Sequence, residues 1–262
     1  MNPSVLFVFI LSILLGVLRA ADLAFGTDAV TGLCVVGSVW WRYLALGIVV
    51  LAAVLVGRTQ PSHSEAVRSR RPLAGILAFV GAVCFLAAAG AQIALGAASG
   101  LGGFVRCILE CLCSAWLSTM GRCWLSPNEW KKPFGGLYLA VAGSLLFYWN
   151  VLLRFMENSS SWHRVAPTAM VWQLLAGLVF LSALARALYL PGTSDGRTLC
   201  AGGLAAFALC LCWELPTVLQ TLVQEGGGAL LSPTLLFRLG LCCVGALGAL
   251  SAVRCTRTEQ DA

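Results

Sequence analysis

Apolar residues fall along this chain in long runs broken by short polar stretches, without the strict alternation of a half-buried strand. A helix needs ~20 such residues to cross a hydrocarbon core ~30 Å thick. The polar punctuation predicts eight helices, near residues 4–24, 39–57, 73–97, 104–120, 134–155, 169–188, 198–222 and 234–253. The fourth departs most from the pattern, because "FVRCILECLCSAWLSTM" is short and carries Arg106 and Glu110. The predicted fold class is all-α, a polytopic protein of about eight transmembrane helices.

The opening "MNPSVLFVFILSILLGVLRAAD" is apolar and N-terminal, as a secretory leader would be. Its first residues lack Lys and Arg, Arg19 interrupts the expected cleavage region, and no A-x-A pattern follows. It is read as a retained first helix.

Composition narrows the class further. Hydrophobic residues make up 59% of the 262 and charged residues only 11%, against roughly 45–50% and about 25% in soluble domains. Eight spans leave no room for a separate soluble domain. The formal net charge of +6 sits mostly in short loops beside apolar runs, where it sets orientation and gives no nucleic-acid footprint. "GRTQPSHSEAVRSRRP" puts Arg58, Arg68, Arg70 and Arg71 into one connection, which is expected to be cytoplasmic. Alternation from there places eleven of the seventeen Lys and Arg residues on the cytoplasmic side, and both termini with them. The expected location is integral to a membrane, the cell or plasma membrane. Trp40, Trp41, Trp149, Trp162, Trp172 and Trp213 would then mark the outer boundary, and Trp116, Trp124 and Trp130 the inner one.

An offset near 130 residues aligns the two halves of the chain. "WRYLALGIVVLAA" at 41–53 matches "WQLLAGLVFLSA" at 172–183, "RPLAG" matches "RTLCAG", and "VRCILEC" matches "FRLGLCC", which pairs Arg106 with Arg238. Gln92 falls opposite Gln220. The expectation is two parallel four-helix repeats, 1–132 and 133–262, related by an axis along the membrane normal.

Charged residues within or beside the helices gather at one level. Arg19 and Asp22 end the first helix, Arg42 begins the second, Arg106 and Glu110 open the fourth, Arg154 and Glu157 close the fifth, and Arg238 opens the eighth. Glu214 lies seventeen residues after Arg197, about 25 Å along a helix and so near the same outer boundary. Pro216 then falls almost at the helix exit, where a missing amide is tolerated best. Glu214 is expected to face the bundle and pair with a basic residue from another helix, Arg238 first and Arg106 second.

Two functional readings follow from this layer. Arg19, Arg42, Arg106, Glu110, Arg154, Glu214 and Arg238 could line an outward-facing vestibule that binds or transports a small anionic solute, or holds a lipid head group, because guanidinium forks suit planar anions. Alternatively they are structural ion pairs in a non-transporting sensor, assembly partner or lipid-contacting subunit. A midplane proton relay lacks its residues, and no nucleophile–base pair or metal cluster marks an enzyme. The twelve cysteines include no C-x-x-C and read as small buried hydrophobes, so no metal or other cofactor is expected. Asn158-Ser159-Ser160 matches a glycosylation acceptor.

Overall fold

The structure, a computed structural model, describes residues 2–28, 31–59, 63–98, 100–126, 132–156, 164–190, 192 and 196–256. Among them the α-helices are α1 Pro3–Ala21, α2 Val39–Thr59, α3 Pro72–Ala94, α4 Gly100–Leu125, α5 Gly136–Met156, α6 Val165–Tyr189, α7 Gly196–Ala206, α8 Glu214–Glu225 and α9 Pro233–Cys255. A π-helical stretch, Phe207–Trp213, joins α7 to α8 in one continuous span. Among the described residues eight spans are long and apolar enough to cross a membrane, so the chain is a polytopic all-α membrane protein. The fourth is fully helical over 26 residues despite Arg106 and Glu110 within it.

Six spans close into a ring. α7 packs on α9, α9 on α3, α3 on α4, α4 on α5, α5 on α6, and α6 returns to α7, while α1 and α2 lie outside against the α7 span. Phe85, Phe147, Phe180, Trp116, Leu117 and Met120 fill the ring's interior at 0% exposure. Phe85 stands edge-on to Phe237 at 5.6 Å and to Phe147 at 6.2 Å. Edge contacts of this kind contribute ~0.5–1.5 kcal/mol beyond area burial. Trp116 and Trp124 belong to this core and not to a boundary belt, since both are fully buried.

Small residues bring the α7 span close to its neighbours. A Cβ on Gly203 would stand 2.6 Å from the carbonyl oxygen of Gly248, and one on Gly57 would stand 2.3 Å from Ala201 Cα. Close backbone approach takes the place of a hydrophobic driving force between helices in lipid.

A twofold exchange of residues 1–132 with 133–262 would match packing of α3 on α9 with packing of α7 on α4. α3 and α9 pack extensively, whereas α4 and α7 make at most marginal contact. The matches between halves are visible at single positions, notably Arg106 and Arg238, each beside a buried glutamate.

Pro216 does not sit at a helix exit, because α8 continues to Glu225. Its ring crowds the carbonyl of Cys212 and it offers that carbonyl no amide. The helix widens to the π form immediately upstream, a form common at functional positions. Gly16 of α1 lies against this carbonyl, where a Cβ would come within 2.7 Å of Cys212 O.

The end of the bundle opposite the charged layer is closed by its own connection. Residues Ser64–Arg68 form a 3-10 turn that docks between α6 and α9, with Val67 fully buried. Trp124 Nε1 donates to Val67 O at 3.1 Å. Arg68 donates through Nε and Nη2 to Ala187 O at 2.9 and 2.6 Å, which satisfies a carbonyl in the last turn of α6. Arg71 Nη2 donates to Ala66 O at 2.9 Å. Burial lowers the Arg71 guanidinium to about 10, so it stays charged at neutral pH.

Candidate functional site

The charged layer occupies the end formed by the close of α1 and α3 and the start of α2, α4 and α9, with Glu214 opening α8. Three networks compose it. The first joins α1 to α2. Asp22 accepts from Arg19 Nη1 at 2.9 Å and from Arg42 Nε at 2.8 Å, and Arg42 Nη2 also contacts its Oδ1. Arg42 Nη2 donates to the carbonyls of Gly26 and Val36, each at 3.1 Å, and so ties these two residues to the start of α2. Arg19 lies over the Trp213 ring, 4.7 Å from its centroid, which links this network to the π-helical stretch.

The second network joins α3 to α4. Glu110, at 0% exposure, accepts from Arg106 Nε at 3.0 Å and from Gln92 Nε2 at 2.9 Å on both oxygens. Arg106 covers the Phe237 ring at 4.9 Å. Glu110 is the eleventh residue of α4, about 15 Å from its start, deeper than the boundary layer expected for it.

The third joins α6, α8 and α9. Gln173 Nε2 donates to Glu214 Oε2 at 2.7 Å, and Arg238 Nε stands 3.3 Å from Glu214 Oε1. Glu214 faces the bundle interior, 4% exposed. Its expected first partner is the observed one, and Arg106, the second candidate, is committed to Glu110 instead.

Six of the seven residues singled out in the sequence therefore enter these networks. Arg154 lies half-buried in the last turn of α5. Glu157, the Asn158-Ser159-Ser160 motif and the boundary residues Trp130 and Trp162 fall outside the described residues.

Several participants were not singled out for these roles. Gln173 is a lone amide within "VWQLLAGL", and such a residue in an apolar span commonly bonds a second helix. Gln92 stands out in the sequence only by falling opposite Gln220. The shared use of Asp22 by Arg42 depends on a contact across twenty residues, which no local spacing encodes.

Two clefts open at this level on either side of Arg19. One, of about 280 Å³, lies between α1 and α2 and is lined by Arg19, Asp22, Arg42, Ser38, Trp41 and Trp213 among others. The second, of about 170 Å³, is lined by Arg19, Thr27, Asp28, Thr217, Gln220 and Gln224 among others. Arg19 is 5% exposed and its Nε, buried, makes no hydrogen bond. Compared with protein-family models, curated proteins and solved structures, the chain matches none.

Proposed function

We propose that the cleft between α1 and α2 binds a small anionic group, a carboxylate or a phosphate, and that the protein is an anion-binding membrane component. The observation that carries this reading is the charge balance in the wall of that cleft. Arg19 and Arg42 share the single carboxylate Asp22, which leaves one positive charge among the residues lining a cleft of about 280 Å³. Arg42 spends its donors on Asp22 and on backbone carbonyls. Arg19 keeps an unpartnered Nε and lines both clefts. A buried guanidinium with a spare donor suits an incoming oxyanion. The rings of Trp41 and Trp213 in the wall favour an anion with an apolar body.

The positive-inside pattern of Arg58, Arg68, Arg70 and Arg71 supports an outward-facing site with cytoplasmic termini. Binding is favoured over conduction by the filled core below the layer, where Phe85, Phe147 and Trp116 are fully buried.

Quenching of tryptophan fluorescence in the purified protein tests the reading. Hexyl phosphate, hexanoate, hexanol and inorganic phosphate would be titrated in turn. Both hexyl anions should quench at concentrations where hexanol does not, and Arg19→Gln should weaken them at least tenfold, the loss of one charge-assisted hydrogen bond. Inorganic phosphate quenching as well as hexyl phosphate would identify a free anion as the ligand, and hexyl phosphate alone an amphiphile such as a lipid head group. Equal quenching by hexanol, or an unaffected Arg19→Gln protein, would overturn the reading.

A further inference from the structure

A second surface lies toward the opposite end of the bundle. α2 and α6 barely touch each other, and both lean on the α7 span. The space between them is an open groove of about 390 Å³, walled by Val50 and Val54 of α2 and by Trp172, Leu175 and Val179 of α6. Its floor is made by Ala201, Gly202 and Ala205 of α7. A Cβ on Gly202 would stand 3.2 Å from Phe180 Cα, so the floor is lowered by helices already in close approach. Leu175 and Val179 are 43% and 50% exposed, on a surface that faces hydrocarbon in a membrane.

The groove has a direction. On α2, Val50, Val54 and Arg58 recur every fourth residue, so the apolar wall ends at a guanidinium that itself lines the groove. On α7 the floor ends at Thr198, also a lining residue, next to the exposed Arg197. The stripe Leu175, Val179 and Ser182 on α6 leads to the exposed Arg186. From Val50 to Arg58 is about 12 Å, and from Leu209 to Thr198 about 16 Å, on the helical rise. Both are close to half of the ~30 Å hydrocarbon thickness, the depth of one leaflet. The groove is thus apolar for the depth of one leaflet and cationic where that leaflet's head groups lie.

We infer that this groove holds one acyl chain of an anionic phospholipid from the leaflet on the 58–72 side, with its phosphate at Arg58 and Thr198. Charge complementarity selects an anionic lipid over a neutral one, and the half-membrane length selects an acyl chain over a helix of a second copy, which would run the full thickness. On the orientation proposed above this is the cytoplasmic leaflet, where anionic lipids reside. The site is separate from the cleft at Arg19 and does not depend on what that cleft binds.

Native mass spectrometry of the full chain released from detergent tests the inference, with phosphatidylglycerol, phosphatidylcholine and glycerol 3-phosphate as probes. Phosphatidylglycerol should be retained as a first bound lipid several-fold better than phosphatidylcholine. Arg58→Ala should reduce that preference about fivefold, the scale for one cation near the membrane surface. Val179→Trp should fill the groove and abolish the first bound lipid; should that variant fail to fold, Val54→Trp fills it from the other wall. Retention that ignores head-group charge, or that survives both tryptophans, overturns the inference. Displacement of the lipid by glycerol 3-phosphate alone would make the site one for a free phosphate and overturn it equally.

Discussion

Arg238 Nε stands 3.3 Å from Glu214 Oε1, between two consecutive helical segments of the bundle. The carboxylate side chain is 6% exposed and the guanidinium 23%, so the two are not equally free to find water when the pair is broken. Breaking a buried pair from one side costs about 3–5 kcal/mol, because the remaining charge is stranded. Arg238→Ala strands Glu214 with Gln173 as its remaining side-chain partner, whereas Glu214→Gln strands a cation that can turn outward. Thermal unfolding in detergent at pH 7 should therefore show a larger loss for Arg238→Ala than for Glu214→Gln. The double substitution should cost less than the two losses added. Equal single losses that add would mean that the contact carries no coupling.

Gln92 supports Glu110 in the same way that Gln173 supports Glu214, through an amide that donates into a buried carboxylate. Gln92→Leu removes both donations and should destabilise by ~1–3 kcal/mol, the penalty for a buried acceptor left short. Gln92→Glu should be worse, since it sets a second carboxylate beside the first. The comparison separates loss of a hydrogen bond from loss of volume, and a harmless Gln92→Glu would show that Glu110 reaches solvent.

Much of this arrangement is legible in the sequence. The eight spans follow from run length alone, and the Glu214 and Arg238 pairing follows from depth, because two residues at one level on adjacent helices have few other choices. Illegible were features set by backbone accommodation across helices. Pro216 announces a disturbance, but whether it ends the span or widens it upstream depends on α1, whose Gly16 lies against the Cys212 carbonyl. The arginine-rich 58–72 stretch reads as an orientation signal, and its charges conceal that Val67 is buried and that Arg68 satisfies the end of α6.

Glycines in the spans divide by what surrounds them. Gly203→Ala and Gly248→Ala each drive a methyl to 2.6 Å from the other's carbonyl oxygen and should force α7 and α9 apart. Losses of about 1–3 kcal/mol are the usual scale for overpacking. Gly47→Ala and Gly90→Ala meet no atom within 4 Å and should be neutral or stabilise by up to ~1 kcal/mol. A common response at all four positions, measured by thermal unfolding, would contradict the close α7 and α9 approach.

Orientation is testable apart from stability. An epitope tag at the C-terminus should be detected only in permeabilised cells, and one inserted at residue 158 should be detected in intact cells, given the basic residues on the 58–72 side. Detection of the C-terminal tag in intact cells would put the Arg19 cleft on the cytoplasmic side and reverse the direction from which an anion enters.

Arg68 gives the last test, because it joins a loop to a helix end through one carbonyl. Its Nε and Nη2 both donate to Ala187 O, at 2.9 and 2.6 Å, where the α6 dipole is negative. Arg68→Ala should cost about 1.5–3 kcal/mol, the range for charge-assisted hydrogen bonds. Arg68→Lys should recover only part of it, since an ammonium lacks the fork that places two donors on one oxygen. Loss of this bond should also free the docked turn that carries Val67. Protease access to the 63–71 segment should then rise in Arg68→Ala while the helical spans keep their circular dichroism. If cleavage in that segment stays as slow as in the parent protein, the turn is held by Val67 burial and the Trp124 bond, and Arg68 is not the fastening.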